Sequence, residues 1–356
     1  MVILHIANVS EHRFYGVNIA VPLHVKAQQK HETVGFINTA GLKLEGIENQ
    51  LEYRKNMSFK ELPEPFCKPD IIVFHEVYQR NMLPLLLEAE RKKLPYVIIP
   101  HGCLTQNAQN HKKIKKLFGN FLLYNRIIGR AIGIQCLSEA ELENTHFRVH
   151  KFIGTNGIEI LNRKESFGEN GISFVYIGRL DIYIKGLDIL SEAVKLCADF
   201  LRENRCRISL YGPDENGCHA RLKAMTAENG TDDIVSVFGP VTGEEKQNIL
   251  LSSDCFIQLS RSEGMSMGIL EALGTGLPCI VSEGTGMADI VSKAKAGWKC
   301  GNDAESAADA IRLAVKSKDN FNNYSHSAIL LTEKNYSWDK VSLDAIGEYK
   351  KLLKTD

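Results

Sequence analysis

The chain has 356 residues, 44% of them apolar and 24% charged, and its 43 basic side chains are balanced by 43 acidic ones. This composition excludes a disordered or fibrous chain, and at roughly 150 residues per domain it leads to an expectation of two domains. Zero net charge supplies no global field for nucleic acid, so nucleic-acid binding is not expected.

In chain order, Val2 to Ala7 reads as a first buried strand. It has no basic residue before it and no small-residue cleavage site after it, so it does not read as a signal peptide, and a cytoplasmic protein is expected. Glu32 to Ile37, Asp70 to Phe74, Tyr96 to Ile99, Ile132 to Leu137 and Lys151 to Ile153 continue as short apolar strands. Between them Gln79 to Lys92 has helical spacing, with Met82, Leu83, Leu86 and Leu87 on one face. The longest apolar runs fall far short of the roughly 18 to 20 residues of a membrane-spanning helix.

His111 to Arg130 carries Lys112, Lys113, Lys115, Lys116, Arg126 and Arg130 without an acid, interleaved with apolar residues. It reads equally as a basic amphipathic helix suited to an anionic membrane surface and as a core helix with a solvated basic side. His146 and His150 have the spacing of a zinc helix, but Phe147 stands where that motif needs glutamate, so no metal is expected. The nine cysteines are odd in number, form no C-x-x-C pair and read as free thiols in a reducing compartment.

The polar stretch 161–171 reads as a linker. Beyond it Ser173 to Ile177, Arg207 to Tyr211, Ile234 to Phe238, Cys255 to Leu259 and Pro278 to Val281 are expected strands, with helices over Gly186 to Asn204 and Glu244 to Leu251. Strand and helix in alternation predict two doubly wound parallel sheets with helices on both faces, an α/β chain with a cleft between two domains. The boundaries read as 1–160, 161–335 and a terminal segment 336–356. In the last, an amphipathic helix places Val341, Leu343, Ile346, Tyr349 and Leu352 to return to the first domain. No G-x-G-x-x-G follows any strand, which disfavours a nicotinamide dehydrogenase.

Chemistry is expected in the loops beyond the carboxyl ends of the strands. Gly178-Arg179-Leu180 and Lys185-Gly186 place two cations on one loop, one able to fork onto phosphate oxygens and the other a compact charge near a leaving phosphate. Ser262 to Leu273 then joins a strand to a helix. There Ser266 is a cap, the amides of Met265, Ser266 and Met267 form an anion site, Glu263 is free to reach a sugar hydroxyl, and Glu271 in the first turn is positioned for a ribose.

Asn156-Gly157, Gly178-Arg179-Leu180 with Lys185-Gly186, then Glu263 and Glu271 followed by Gly276-Leu277-Pro278, in this order, closely resemble the retaining nucleotide-sugar glycosyltransferases of the large family four. The resemblance runs over essentially the whole chain, including Tyr336-Ser337-Trp338. It implies a GT-B fold of two Rossmann-like domains, the first for the acceptor and the second for a UDP- or GDP-linked donor. It implies that Arg179 and Lys185 hold the diphosphate, Glu271 the ribose, and Glu263, Gly264, Met265, Ser266 and Met267 the transferred sugar. His101, after the apolar strand Val97 to Ile99, matches the histidine placed beneath the sugar at the domain interface.

Gly16, which the resemblance counts among the donor-binding residues, is kept from the glycine pair of the first loop, but its partner is Tyr15 and no acid follows within two residues; this departure concerns the acceptor. Asp289 receives no role. The implied reaction is metal-independent, needs no cofactor, retains the anomeric configuration and proceeds by front-face displacement onto a glycan, possibly lipid-linked, of a bacterial surface polysaccharide such as capsule or O-antigen. The alternatives are a non-catalytic partner of another transferase, for which four intact site residues are unnecessary, and a nucleotide-sugar epimerase, which the Arg-Leu and Lys-Gly loop fits less well.

Overall fold

The computed structural model describes residues 1–11, 16–105, 123–159, 162–168, 171–214 and 216–354. It divides into two compact units, Met1–Gly157 with Trp338–Asp356, and Ile158–Ser337. Elements are numbered over the described residues.

Unit 1 contains β1 (Val2–Ala7), α1 (Gly16–Gln29), β2 (Thr33–Asn38), β3 (Gln50–Leu51), β4 (Ile71–His75), α2 (Leu83–Lys92), β5 (Tyr96–Ile99), α3 (Asn125–Arg130), β6 (Gly133–Cys136), α4 (Glu139–Glu143) and β7 (Lys151–Ile153). Its sheet is parallel in the order β3-β2-β1-β4-β5-β6-β7. The apolar runs that predicted the strands, such as Ile71-Ile72-Val73-Phe74, are buried throughout, as parallel strands covered on both faces must be. One face carries an apolar core around Leu4, Ile6, Phe74, Leu86 and Ile98.

Unit 2 contains β8 (Ser173–Ile177), α5 (Leu187–Leu196), α6 (Ala198–Glu203), β9 (Arg207–Tyr211), α7 (Cys218–Glu228), β10 (Val235–Phe238), α8 (Gly243–Ser252), β11 (Cys255–Gln258), α9 (Met267–Thr275), β12 (Cys279–Ser282), α10 (Ala288–Lys293), β13 (Gly297–Cys300), α11 (Ala304–Lys316) and α12 (Phe321–Asn335). Its parallel order is β10-β9-β8-β11-β12-β13. Each sheet reverses direction beside its first strand, at β1/β4 and β8/β11, and such switch points open the crevices in which α/β sheets bind ligands. Both sheets have the GT-B architecture of two Rossmann-like domains.

Several expectations need correction. Strands β3 and β13 were not predicted; β13 alternates with an exposed Lys299, and β3 is only two residues long. The helix expected over Gly186 to Asn204 is broken at Cys197, which leaves the helical region. Of the stretch 161–171, expected as a linker, the described residues are tied into unit 2: Lys164 meets Asp254 at 3.4 Å, Gly168 N–H donates to Asp254 at 2.8 Å, and the Phe167 ring lies 5.4 Å from that of Phe321. The units meet at Gly157–Ile158 instead.

The final helix, α13 (Trp338–Leu352), lies in unit 1 with Val341, Ala345, Ile346 and Tyr349 buried. Leu343, expected on that face, is exposed. His146 and His150 lie outside α4, so their spacing is not helical. All nine thiols are free, and burial pushes several up, Cys197 to about 11 and Cys300 to about 12.

Of the basic segment His111 to Arg130, the four lysines lie outside the described residues. Its described end forms α3, with Ile127 and Ile128 buried. Both arginines meet Glu90 of α2, Arg126 at 3.0 Å and Arg130 at 3.9 Å. Among the described residues no helix is long and apolar enough to cross a membrane.

Candidate functional site

The loop leaving β8 is anchored by Leu180 and Ile182, both buried in the unit 2 core, and carries Arg179 and Lys185 on either side of these anchors. The Tyr176 hydroxyl donates to the Arg179 carbonyl at 2.8 Å. The turn closes through Lys185 N–H to the Asp181 carbonyl at 3.1 Å. Gly186 then caps α5 at φ +63°, and a Cβ there would stand 2.0 Å from the Leu259 carbonyl oxygen. Only glycine lets this loop come so close to the end of β11. That approach delivers the Lys185 ammonium to the loop after β11.

Strand β11 ends on polar residues that fold into one partly buried network. Gln258 Nε2 donates to Ser260 Oγ at 3.0 Å and to Glu263 Oε1 at 3.1 Å; Ser260 Oγ donates to the same carboxylate oxygen at 2.9 Å. Lys185 Nζ forms an ion pair with it. Glu263, expected free to meet a sugar, is therefore held by three donors on one oxygen, which fixes its orientation. Ser266 Oγ donates to Gln258 Oε1 at 2.8 Å and accepts from Ile269 N–H at 3.4 Å, capping α9 as the sequence suggested.

A fork of Arg261 onto Asp188 at 2.7 and 2.8 Å braces the start of α5 against this loop, and the guanidinium lies 4.4 Å from the centre of the Tyr183 ring. Such bidentate pairs add geometric precision as well as energy. Arg179, Lys185 and Glu263 are thus held on the two loops of the β8/β11 switch point, with Met265, Ser266 and Met267 around the N-terminus of α9.

Glu271 is not in the first turn of α9; it is the fifth residue of that helix, so the helix-terminus argument does not hold it. An ion pair with Lys246 of α8 does. Asp289 pairs with Lys299 at 2.9 Å and is exposed.

In unit 1, His101 follows β5 with φ +49°, and Glu76 follows the adjacent β4 with φ +66°. Left-handed backbone is costly for residues other than glycine and collects at functional positions. Glu141 of α4 accepts from the N–H groups of Gly102 and, at 2.6 Å, Leu137, clamping the turn behind His101. Burial raises both the Glu141 and the Glu76 carboxyl above their ordinary value. The His101 ring meets His75 at 3.0 Å, and burial holds its pKa down at about 4. Gly16 opens α1, with nothing within 4 Å of where a Cβ would stand.

Sequence reasoning missed Asp188, Arg261, Gln258, Ser260, Lys246, Glu141 and His75. Gln258 and Ser260 carried a usable signal, since polar residues closing an otherwise apolar parallel strand must find buried partners. The Lys246 and Arg261 pairings join distant segments and left none.

Residues 157–329 match the family described as Glycosyl transferases group 1. A curated relative, the GDP-mannose:cellobiosyl-diphosphopolyprenol alpha-mannosyltransferase of Xanthomonas oryzae, is 26% identical over 187 residues, 51% of this chain and 48% of that protein. The amylovoran biosynthesis glycosyltransferase AmsK of Erwinia amylovora is 29% identical over 140 residues, 37% of this chain and 33% of that protein. The chain thus spans about half the length or less of these curated relatives. Among solved structures, the Anabaena protein HepE in complex with UDP superposes with a TM-score of 0.77 at 15% identity, covering 99% of this chain and 100% of that one. Sucrose-phosphate synthase from Thermosynechococcus elongatus gives 0.74 at 16% identity, covering 100% of both chains.

Proposed function

We propose that this chain is a retaining glycosyltransferase enzyme that moves a sugar from a nucleoside-diphosphate donor to a hydroxyl of a glycan acceptor without a metal or other cofactor. The observation that carries the proposal is the pairing of Lys185 with Glu263 across the β8/β11 switch point, on the loop that also carries Arg179, inside the segment that matches Glycosyl transferases group 1. Arg179 forks onto diphosphate oxygens, and Lys185 shares its charge between Glu263 and the leaving phosphate, stabilising negative charge where it develops. Glu263, oriented by Gln258 and Ser260, receives the sugar together with the amides of Met265 to Met267, and Gly264 gives the backbone room to approach it. Glu271 takes the ribose diol, and His101 the underside of the sugar. The leaving phosphate accepts the acceptor proton on the face it departs from, so the configuration is retained.

The donor is UDP- or GDP-linked, in keeping with the UDP bound by HepE and the GDP-mannose used by the Xanthomonas relative. The acceptor is a lipid-linked or free oligosaccharide of a bacterial surface polysaccharide, made on the cytoplasmic side. Residues 111–130 give a peripheral contact with anionic lipid. Liposome flotation that is unchanged after Lys112, Lys113, Lys115 and Lys116 are replaced by Ala removes that contact from the proposal.

The donor site is tested by thermal unfolding in EDTA against UDP, GDP and their sugars, with Lys185→Ala alongside. A nucleotide at about 100 times its dissociation constant adds roughly 2.7 kcal/mol of stability. A shift with one base family that the variant loses is expected. No shift with any nucleotide would refute the donor site.

A further inference from the structure

On the sheet face of unit 1 that receives α1 and α13, the chain buries a continuous line of polar side chains: Gln135, Tyr349, Gln28, His5 and His75, all fully buried, ending at His101. The donor and acceptor atoms give the links their directions. The Gly154 carbonyl can only accept, so the amide that reaches it at 2.9 Å is Gln135 Nε2, and Gln135 Oε1 faces the other way. That oxygen accepts from the Tyr349 hydroxyl at 2.6 Å. The Gln28 side chain lies beside that hydroxyl. Gln28 Nε2 also lies 3.0 Å from His24 Nε2, which places Gln28 Oε1 against His5 Nε2 at 2.9 Å.

From there the proton count is forced. An amide oxygen only accepts, so His5 carries its hydrogen on Nε2, and as a neutral ring it has a lone pair on Nδ1. His75 Nε2 fills that lone pair at 2.9 Å, which leaves His75 Nδ1 bare. His101 Nε2 fills that one in turn at 3.0 Å. All the rings are neutral at physiological pH because burial holds every one of these histidines below its ordinary value.

We infer that Gln28, His5 and His75 are positioning residues that set the tautomer of His101, keeping its hydrogen on Nε2 and leaving Nδ1 as the accepting nitrogen. The polarity is set at the Gln28 amide, whose Nε2 faces His24 and whose Oε1 faces His5. The consequence for chemistry rests on the proposed function: a His101 that presents a lone pair accepts from a sugar hydroxyl and does not donate to a sugar oxygen.

The test is the nitrogen-15 spectrum of histidine-labelled, ligand-free protein, in which an unprotonated ring nitrogen resonates far downfield of a protonated one. His101 is assigned as the signal missing from His101→Asn among the 11 histidines. The wild type should show His101 protonated on Nε2 alone. Gln28→Leu, which touches no part of His101, should move its two nitrogen signals toward each other as the tautomers mix. His101 protonated on Nδ1 in the wild type, or signals unmoved in Gln28→Leu, would overturn the inference. Because no nucleotide is present, this failure is separate from failure of the donor site, which the nucleotide panel reads in unit 2.

Discussion

Replacing Gly186 by alanine tests whether close approach of the β8 and β11 loops builds the site. Two costs add. The left-handed conformation at φ +63° costs an alanine about 1 to 2 kcal/mol. Its Cβ would also stand 2.0 Å from the Leu259 oxygen and 2.8 Å from the carbonyl carbon, so backbone must move by about 1 Å, and overpacking of that kind costs about 1 to 3 kcal/mol. The sum, about 2 to 5 kcal/mol, lowers the melting temperature of a unit this size by roughly 5 to 15 °C.

Gly217→Ala is the matched control. It also caps a helix in the left-handed region, at φ +76°, but nothing lies within 4 Å of its Cβ, so only the conformational cost of about 1 to 2 kcal/mol applies. Calorimetry of both variants separates the clash from the conformation. Because the shift moves Lys185 away from Glu263, Gly186→Ala should also lose nucleotide-induced stabilisation, whereas Gly217→Ala keeps it. Equal losses of stability in the two variants would refute the close-approach argument.

Three other outcomes are expected. Unit 1 should weaken in acid: His5 and His101 take up a proton only near about 4 when folded but near 6.5 when unfolded, and His24 and His75 are lowered in the same direction. Their stabilisation is therefore complete above about pH 6.5 and is lost as pH falls toward 4, each histidine adding a slope of up to about 1.4 kcal/mol per pH unit. The raised carboxyls of Glu76 and Glu141 oppose this, since the folded form holds their protons more tightly, but two oppose four. Urea titrations of Trp298→Phe, which leaves Trp338 beside His24 as reporter, should show a lower midpoint at about pH 5 than at about pH 7.5, and equal midpoints would contradict the assignment. Glu141→Ala leaves the Gly102 and Leu137 N–H groups without their acceptor and should cost about 2 to 4 kcal/mol in chemical denaturation, with Glu141→Gln milder. Glu271→Gln should weaken nucleoside-diphosphate binding about tenfold, or about 1.4 kcal/mol, while stability stays within about 1 kcal/mol; unchanged affinity in calorimetric titration would remove Glu271 from the ribose.

By itself the sequence determined the architecture and the places where chemistry belongs. Strands buried on both faces must be continuously apolar, so runs such as Ile71 to Phe74 and Cys255 to Ile257 are visible without a structure, and their alternation with helical stretches dictates parallel sheets. Short-range features were legible for the same reason: the Ser266 cap, the Gly276 terminus of α9 and the cations flanking Gly186 are fixed by neighbours a few residues away. Tertiary structure alone decided which side chains meet. Lys185 with Glu263, Lys246 with Glu271 and Asp188 with Arg261 are brought together from distant segments, and no local spacing encodes such encounters. The proton order along Gln28, His5, His75 and His101 is more dependent still on the fold. It exists only because a helix from the far end of the chain closes over the first sheet and buries polar groups that must then satisfy one another.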